Sequence, residues 1–265
     1  MNTQPVGMLL REWRQRRHRS QLDLALDADI STKHLSFVET GRAQPSREMV
    51  LHLSELLQIP LRDRNAVLVS AGFAPMFPER TLDDPALAAA RRAVDLVLAG
   101  HEPYPALAVD RHWNLITANQ AANRLLGSVD PAMLQPPLNV LRLSLHPGGM
   151  APQIVNLAQW REHLLMRLHK QIHATADAGL MQLAQELEAY PVPAGAKHER
   201  ARADEYGGVV VPLQLQTPLG MLSLISITTL FGTPLDVTIA ELALESFFPA
   251  DARTAELLRQ FAGQS

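Results

Sequence analysis

Between residues 6 and 73 the apolar positions recur every three or four residues, in five short bursts separated by polar or turn-forming residues. That spacing belongs to helices burying one face. Leu9, Leu10 and Trp13 stripe the first burst, and Leu22, Ala25 and Leu26 mark the second. Ser20 stands ahead of the second, where its hydroxyl can take a free backbone N–H of the first turn. A third helix follows Ser31, with Leu35 and Val38 facing inward and Thr32, Lys33, Ser36 and Phe37 pointing away. Met49, Val50, Leu53, Leu56 and Leu57 stripe a fourth over residues 47–57, and Pro60 and Asp63 introduce a fifth that ends near Gly72. Five helices in about 70 residues make a small all-α domain.

Residues 74–85, APMFPERTLDDP, have the proline-rich character of a linker. Residues 85–98 return to helical spacing through Leu87, Val94, Leu96, Val97 and Leu98. The period then shortens to two. Residues 106–110 and 113–117 read as a hairpin turning at Arg111-His112, and 119–126 returns to helix. Residues 154–187 are helical with a break near 177–179, whereas 190–206 are polar and irregular. Residues 209–215 and 221–229 form a second hairpin around Thr217-Pro218-Leu219-Gly220. Ala240, Leu242 and Leu244 alternate with Glu241 and Glu245, which predicts a strand over 238–247, and Asp251 opens a last helix reaching 261. Helices and strands returning to one sheet give an α+β domain. The expected organisation is a helical domain over 1–75, a connecting segment over 76–100 and an α+β domain over 101–265.

Composition refines this picture at two points. The 265 residues carry a net charge of −3, yet residues 1–50 hold eight basic and six acidic side chains, a net of +2 that leaves −5 for the rest. A basic N-terminal arm on an acidic body suits a specific DNA binder whose second part does something else. The chain has no cysteine, and arginines interrupt its N-terminus from Arg11 onward. No window approaches the roughly 18 apolar residues of a membrane span. These features predict a soluble cytoplasmic protein without a membrane partner.

The second and third helices have the length and separation of a helix-turn-helix. Two helices crossing steeply need a small side chain at closest approach, and Ala25 supplies it. Gln21 stands where a side chain meets a phosphate beside a helix N-terminus. Glu39 and Arg11 are candidates to pair across the motif, and Arg42, Ser46 and Arg47 follow the third helix in a loop suited to straddling the DNA backbone. The set Leu10-Arg11, Ser20-Gln21, Leu24-Ala25, Ile30-Ser31, Leu35-Ser36, Glu39, Gly41-Arg42 and Pro45-Ser46 resembles the Xre, or lambda-repressor-like, helix-turn-helix family over residues 6–73. Asp29 departs from it, standing where the family usually has a turn glycine, but Asp tolerates the left-handed conformation better than most residues. The resemblance implies that Thr32, Lys33 and Phe37 read base edges of a double-stranded DNA operator. It implies that Gln21, Ser31, Ser36 and Arg42 contact phosphates. Lys33 can reach guanine O6 and N7, and Thr32 or Phe37 can touch a thymine methyl.

Catalytic chemistry finds little support. HExxH, GxSxG, a glycine-rich phosphate loop and a cysteine nucleophile are all missing from the sequence. His169 and His173 stand four apart, but Lys170 and Gln171 lie between them and no carboxylate completes a metal site. Asp236 and Glu241 have no base or electrophile beside them. The expectation is a non-enzyme without a catalytic or metal site and without a required cofactor.

A ligand-binding role has more behind it. Residues 113–119, WNLITAN, form a strand running into a helix with Asn119 placed to cap it, which resembles the opening of a PAS-type domain. Residues 109–126 (VDRHWNLITANQAANRLL), 139–168 (NVLRLSLHPGGMAPQIVNLAQWREHLLMRL) and 225–260 (ISITTLFGTPLDVTIAELALESFFPADARTAELLRQ) resemble MmyB-like regulators. In these an Xre-type domain precedes a PAS-like ligand domain. That resemblance implies a transcription regulator responding to a small amphipathic, fatty-acid-like ligand. Such a ligand needs an apolar tunnel with one polar end. Leu107, Trp113, Ile116, Leu143, Leu164, Leu165, Leu168, Leu224 and Ile227 are candidates for its walls. Asn119, Arg142, His146 and Arg161 are candidates for its polar end, Arg being best suited to a bidentate contact with a carboxylate. A homodimer on two half-sites would couple ligand to DNA by a small rotation, with the helix over 85–98 as the transmitting element. The competing reading makes the second domain a dimerisation or protein-interaction module only.

Overall fold

A computed structural model describes residues 4–127, 129–191, 210–232 and 234–263. The chain divides into two units, one of residues 1–81 with 173–175 and 233–240, the other of the remainder.

The first unit is all-α and carries the lambda-repressor-like helix-turn-helix. Its helices are α1 (Val6–Arg16), α2 (Gln21–Asp27), α3 (Thr32–Glu39), α4 (Arg47–Leu56) and α5 (Leu61–Ser70). Three serines start three of them. Ser20 Oγ accepts from the backbone N–H of Asp23, whose carboxylate accepts in turn from the Ser20 N–H. Ser31 Oγ accepts from His34 N, and Ser46 Oγ from Met49 N. Asp29 takes φ +53°, the left-handed turn between α2 and α3. Leu10, Leu24, Leu35, Leu53 and Leu68 anchor the core. Ala25 is buried as the steep crossing requires, but Leu22 and Leu26 are 65 % and 78 % exposed. Four residues apart, those two leucines share the outer face of α2. Leu24 makes the core contact in their place. Gly7 sets the approach of α1 to α3, since a Cβ there would sit 2.1 Å from the Val38 carbonyl oxygen.

The second unit is α+β and PAS-like. A 3₁₀ turn at Pro85–Leu87 leads into α6 (Ala88–Gly100), then β1 (Ala106–Val109), β2 (Leu115–Ala118), α7 (Gln120–Leu126) and α8 (Val140–Leu145). There follow α9 (Leu157–Thr175), α10 (Ala178–Ala189), β3 (Leu213–Thr217) and β4 (Gly220–Leu230). After α11 (Val237–Ala240), which clusters with the first unit, come β5 (Ala243–Pro249) and α12 (Ala252–Ala262). The five strands form one antiparallel sheet in the order β2-β1-β5-β4-β3. The β3–β4 hairpin turns where predicted, with Thr217 opposite Gly220 and the glycine at φ +133°. Val209, the expected start of that hairpin, lies outside the described residues.

The break in the long helical stretch is made by Ala176 at φ +53° and by Asp177, whose carboxylate accepts from Gly179 N and Leu180 N to start α10. The segment 238–247 departs from prediction. Asp236 accepts from Thr238 N and starts the helical turn α11, so the strand begins only at Ala243. Glu245 and Leu244 are both buried, at 4 % exposure each. The alternation had placed Glu245 toward water, but that position of β5 lies under α9, where Arg167 pairs with it. One face packs on α6 through Val94, Leu98, Ala106, Ala108, Leu242 and Leu244. The other joins the main core with Trp160, Leu164 and Leu168 of α9 and Leu180, Leu183 and Leu187 of α10.

Candidate functional site

In the first unit the exposed face of α3 is the candidate nucleic-acid surface. Ser31 caps the helix, Thr32 and Lys33 lie in its first turn, and Ser36 and Phe37 follow one turn later on the same face. Phe37 is half-buried outside the core cluster, with the Lys33 ammonium 5.6 Å and the Arg42 guanidinium 5.9 Å from its ring centre. Cations held over a ring are ordered without losing their charge. Lys33, Arg42 and Arg47 are all exposed.

Beneath this face lies a buried ion pair. Arg14 Nε and Nη2 donate to the two Glu39 carboxylate oxygens at 2.6 and 2.9 Å, and Arg14 Nη1 donates to the Arg19 carbonyl at 2.8 Å. Glu39 therefore pairs with Arg14, not with Arg11, which is exposed. Arg14 lies one helical turn deeper, on the buried side of α1. The hydrogen bond to Glu39 and its charge raise the Arg14 pKa against the opposing effect of burial. Gln21 Nε2 also donates to Glu39, at 2.7 Å. Gln21, expected at a phosphate, thus ties α2 to α3 through its side-chain amide. Arg17 is likewise structural, donating to the Leu57 and Gln58 carbonyls behind α4.

In the second unit a cavity of about 100 Å³ opens between the sheet and helices α7, α8 and α9. One water needs roughly 10–15 Å³ of such space, so the void is several waters in extent. Of the expected wall residues, Leu107, Trp113, Leu143, Leu164 and Leu224 line it, joined by Leu115, Leu125, Leu126, Val140, Leu141, Met150, Trp160, Leu213 and Phe247. Leu165 packs against the core and Leu168 is fully buried in it, neither at the cavity wall. Ile116 and Ile227 are exposed, because β2 and β4 turn those positions outward.

The predicted polar end is not brought together. Asn119 is buried, accepts from Ala106 N and Ala122 N, and donates to the Leu98 and Tyr104 carbonyls, as a helix cap that also ties β1 to α7. Arg142 makes a bidentate pair with Glu186 at 2.7 Å for both contacts. That arginine, with Tyr190 donating to the same carboxylate, holds the Glu186 pKa down to about 2, and burial and Glu186 push the Tyr190 phenol up to about 12. Arg161 donates to the Leu187 and Glu188 carbonyls at the end of α10. His146 Nδ1 accepts from Gly148 N. None of these four residues lines the cavity.

Its charged groups are Arg167 of α9 and Glu245 of β5. Arg167 Nη2 and Nη1 donate to Glu245 at 2.5 and 3.3 Å, and Nη2 also donates to Thr228 Oγ1 at 2.6 Å. Thr228 Oγ1 donates to the same carboxylate at 2.7 Å. The Arg167 guanidinium sits 5.0 Å above the ring of Trp113. Trp113 is held there at φ +67°, a costly conformation for a bulky residue. Asp110 enforces it by accepting from His112 N, Asn114 N and Asn114 Nδ2, while Gln171 Oε1 accepts from Trp113 Nε1 at 2.8 Å. Sequence reasoning missed Arg167, Glu245 and Asp110. The signal for the first was a lone charge beside Leu164 and Leu168 on the core stripe of a helix.

The carboxylates and imidazoles weighed for catalysis are engaged elsewhere. Asp236 pairs with Arg80, Glu241 lies 3.7 Å from Arg111, and His169 lies 3.3 Å from Glu188.

The model of the MmyB-like transcription regulator ligand binding domain matches residues 90–261, and that of a helix-turn-helix family matches residues 10–63. No curated protein matches the chain. A solved structure described as an RNA-binding light-oxygen-voltage receptor is similar at 12 % identity and a TM-score of 0.24. The alignment covers 97 % of this chain but only 63 % of that one, a likeness too slight to inform fold or chemistry.

Proposed function

The chain belongs to the MmyB-like transcription regulators, with a helix-turn-helix domain ahead of a ligand-binding domain, and from that membership we propose how the two parts divide the work. The first unit binds a double-stranded operator through α3. Thr32, Lys33 and Phe37 read base edges, and Ser31, Ser36 and Arg42 hold phosphates. Gln21 contributes mainly by fixing α2 on Glu39. The second unit holds a fatty-acid-like amphiphile, a polar head on a single alkyl chain, and its occupancy sets the affinity for DNA. The protein acts as a homodimer, with the exposed Leu96 and Val97 of α6 among the candidates for contact between copies.

The observation that carries this reading is the cavity, walled by apolar side chains and charged at a single place. A purely structural module gains nothing from such a void, because unfilled core volume costs stability. Native mass spectrometry of the purified full-length protein, followed by denaturing extraction, tests it. A dimer carrying a releasable amphiphile is the expected result. A monomer that neither carries nor takes up such a molecule overturns it.

A further inference from the structure

We infer that the cavity selects, among amphiphiles, those whose head group carries no net charge: an alcohol, an amide, an ester or a protonated acid. The inference rests on the cavity being the ligand site and concerns only its polar end.

The argument is one of charge balance. A carboxylate head would be drawn to Arg167, but that guanidinium already faces Glu245 through two contacts. The Glu245 side chain is only 5 % exposed, and that of Arg167 21 %. Water is therefore poorly placed to screen a second anion brought beside Glu245. Like charges a few ångströms apart in such surroundings repel strongly. Displacing Glu245 instead would strand a buried carboxylate without its partner, at heavy cost. His163, stacked on Trp160 at 5.3 Å, brings no compensating positive charge, since burial and then the neighbouring Arg167 favour its neutral form.

An uncharged head avoids both penalties and finds partners as it enters. Arg167 uses three of its five N–H donors on Glu245 and Thr228. Its remaining donors can serve an alcohol or carbonyl oxygen. Glu245 accepts three hydrogen bonds of the roughly four its oxygens can take. Ser144 Oγ, also at the cavity wall, accepts from Trp160 Nε1 at 3.0 Å and keeps a hydroxyl hydrogen of its own. The polar end thus offers donors and an acceptor without a net charge.

Titration of the full-length protein with decanol, decanamide and decanoate, followed by calorimetry and by tryptophan fluorescence, tests this. The wild type binds decanol or decanamide at least about tenfold more tightly than decanoate, the ratio that a modest 1.4 kcal/mol difference produces. Glu245→Gln leaves Arg167 as the only charge and inverts the order, decanoate then binding best. The wild-type comparison stands alone should that variant fail to fold. Decanoate binding the wild type as tightly as decanol overturns the inference and leaves the cavity reading intact. Failure of all three to bind takes both down.

Discussion

Truncating Glu39 is the perturbation whose consequence follows most directly from geometry. Glu39→Ala removes three hydrogen bonds at once, two from Arg14 and one from Gln21. It leaves the Arg14 guanidinium with 10 % of its side chain exposed and the Arg19 carbonyl as its remaining partner. Breaking a buried pair from one side costs about 3–5 kcal/mol. At roughly 0.05–0.15 kcal/mol per residue, a unit of this size has a total stability of only about 4–12 kcal/mol. The variant's first unit should therefore open often at ambient temperature. Hydrogen exchange read by mass spectrometry resolves the two units, and protection should fall by about two to four orders of magnitude in α1, α2 and α3 while the sheet is unaffected. The double variant Arg14→Met/Glu39→Leu removes both charges for packed apolar groups and should recover most of the loss. A single variant losing less than about 1 kcal/mol, or a double variant as damaged as the single one, would refute the account of this pair.

Lys33→Ala should cost about 1–3 kcal/mol on a selected operator and little on scrambled DNA; equal losses on both duplexes would remove Lys33 from base reading. Glu186 has a folded pKa of about 2, below its ordinary value of 4.5, so the stability it contributes is complete above pH 4.5 and drains away as pH falls toward 2. Because Arg142 and Glu186 are each more than a third exposed, that contribution should shrink in high salt, and Glu186→Gln should flatten the acid limb of thermal denaturation. Asp110→Ala releases the turn that holds Trp113 at positive φ, and should shift tryptophan emission and weaken amphiphile binding several-fold at nearly unchanged helicity.

What the sequence disclosed and what it hid divide by range of interaction. Ser20, Ser31, Asn119 and Asp251 act within three residues of themselves, so their capping roles were legible from local order alone, whereas Ser46 and Asp177 cap by the same local rule but were read only as a loop residue and a helix break. The left-handed Asp29 was legible for the same reason. Leu22 and Leu26 satisfied helical spacing as well as Leu24 did, and only packing decides which face turns inward. Charged partners were the least legible. Arg142, Arg161 and Arg167 occupy similar positions on amphipathic helices, yet the first two bond to α10 and the third to Glu245, 78 residues away. Glu245 looked like the wet side of a strand because alternation presumes one wet face. In β5 the face that carries Glu245 lies under α9, whose Arg167 pairs with it.

The central claim is that occupancy of the cavity changes affinity for DNA. It is tested most directly by the anisotropy of a labelled duplex, selected from a random pool by the full-length protein and titrated at one fixed salt concentration. The titration is run with and without a saturating amphiphile. The account predicts a change in Kd of at least about fivefold, the lower end of ordinary coupling between two sites. An unchanged Kd, with tryptophan fluorescence reporting the cavity filled, would contradict it.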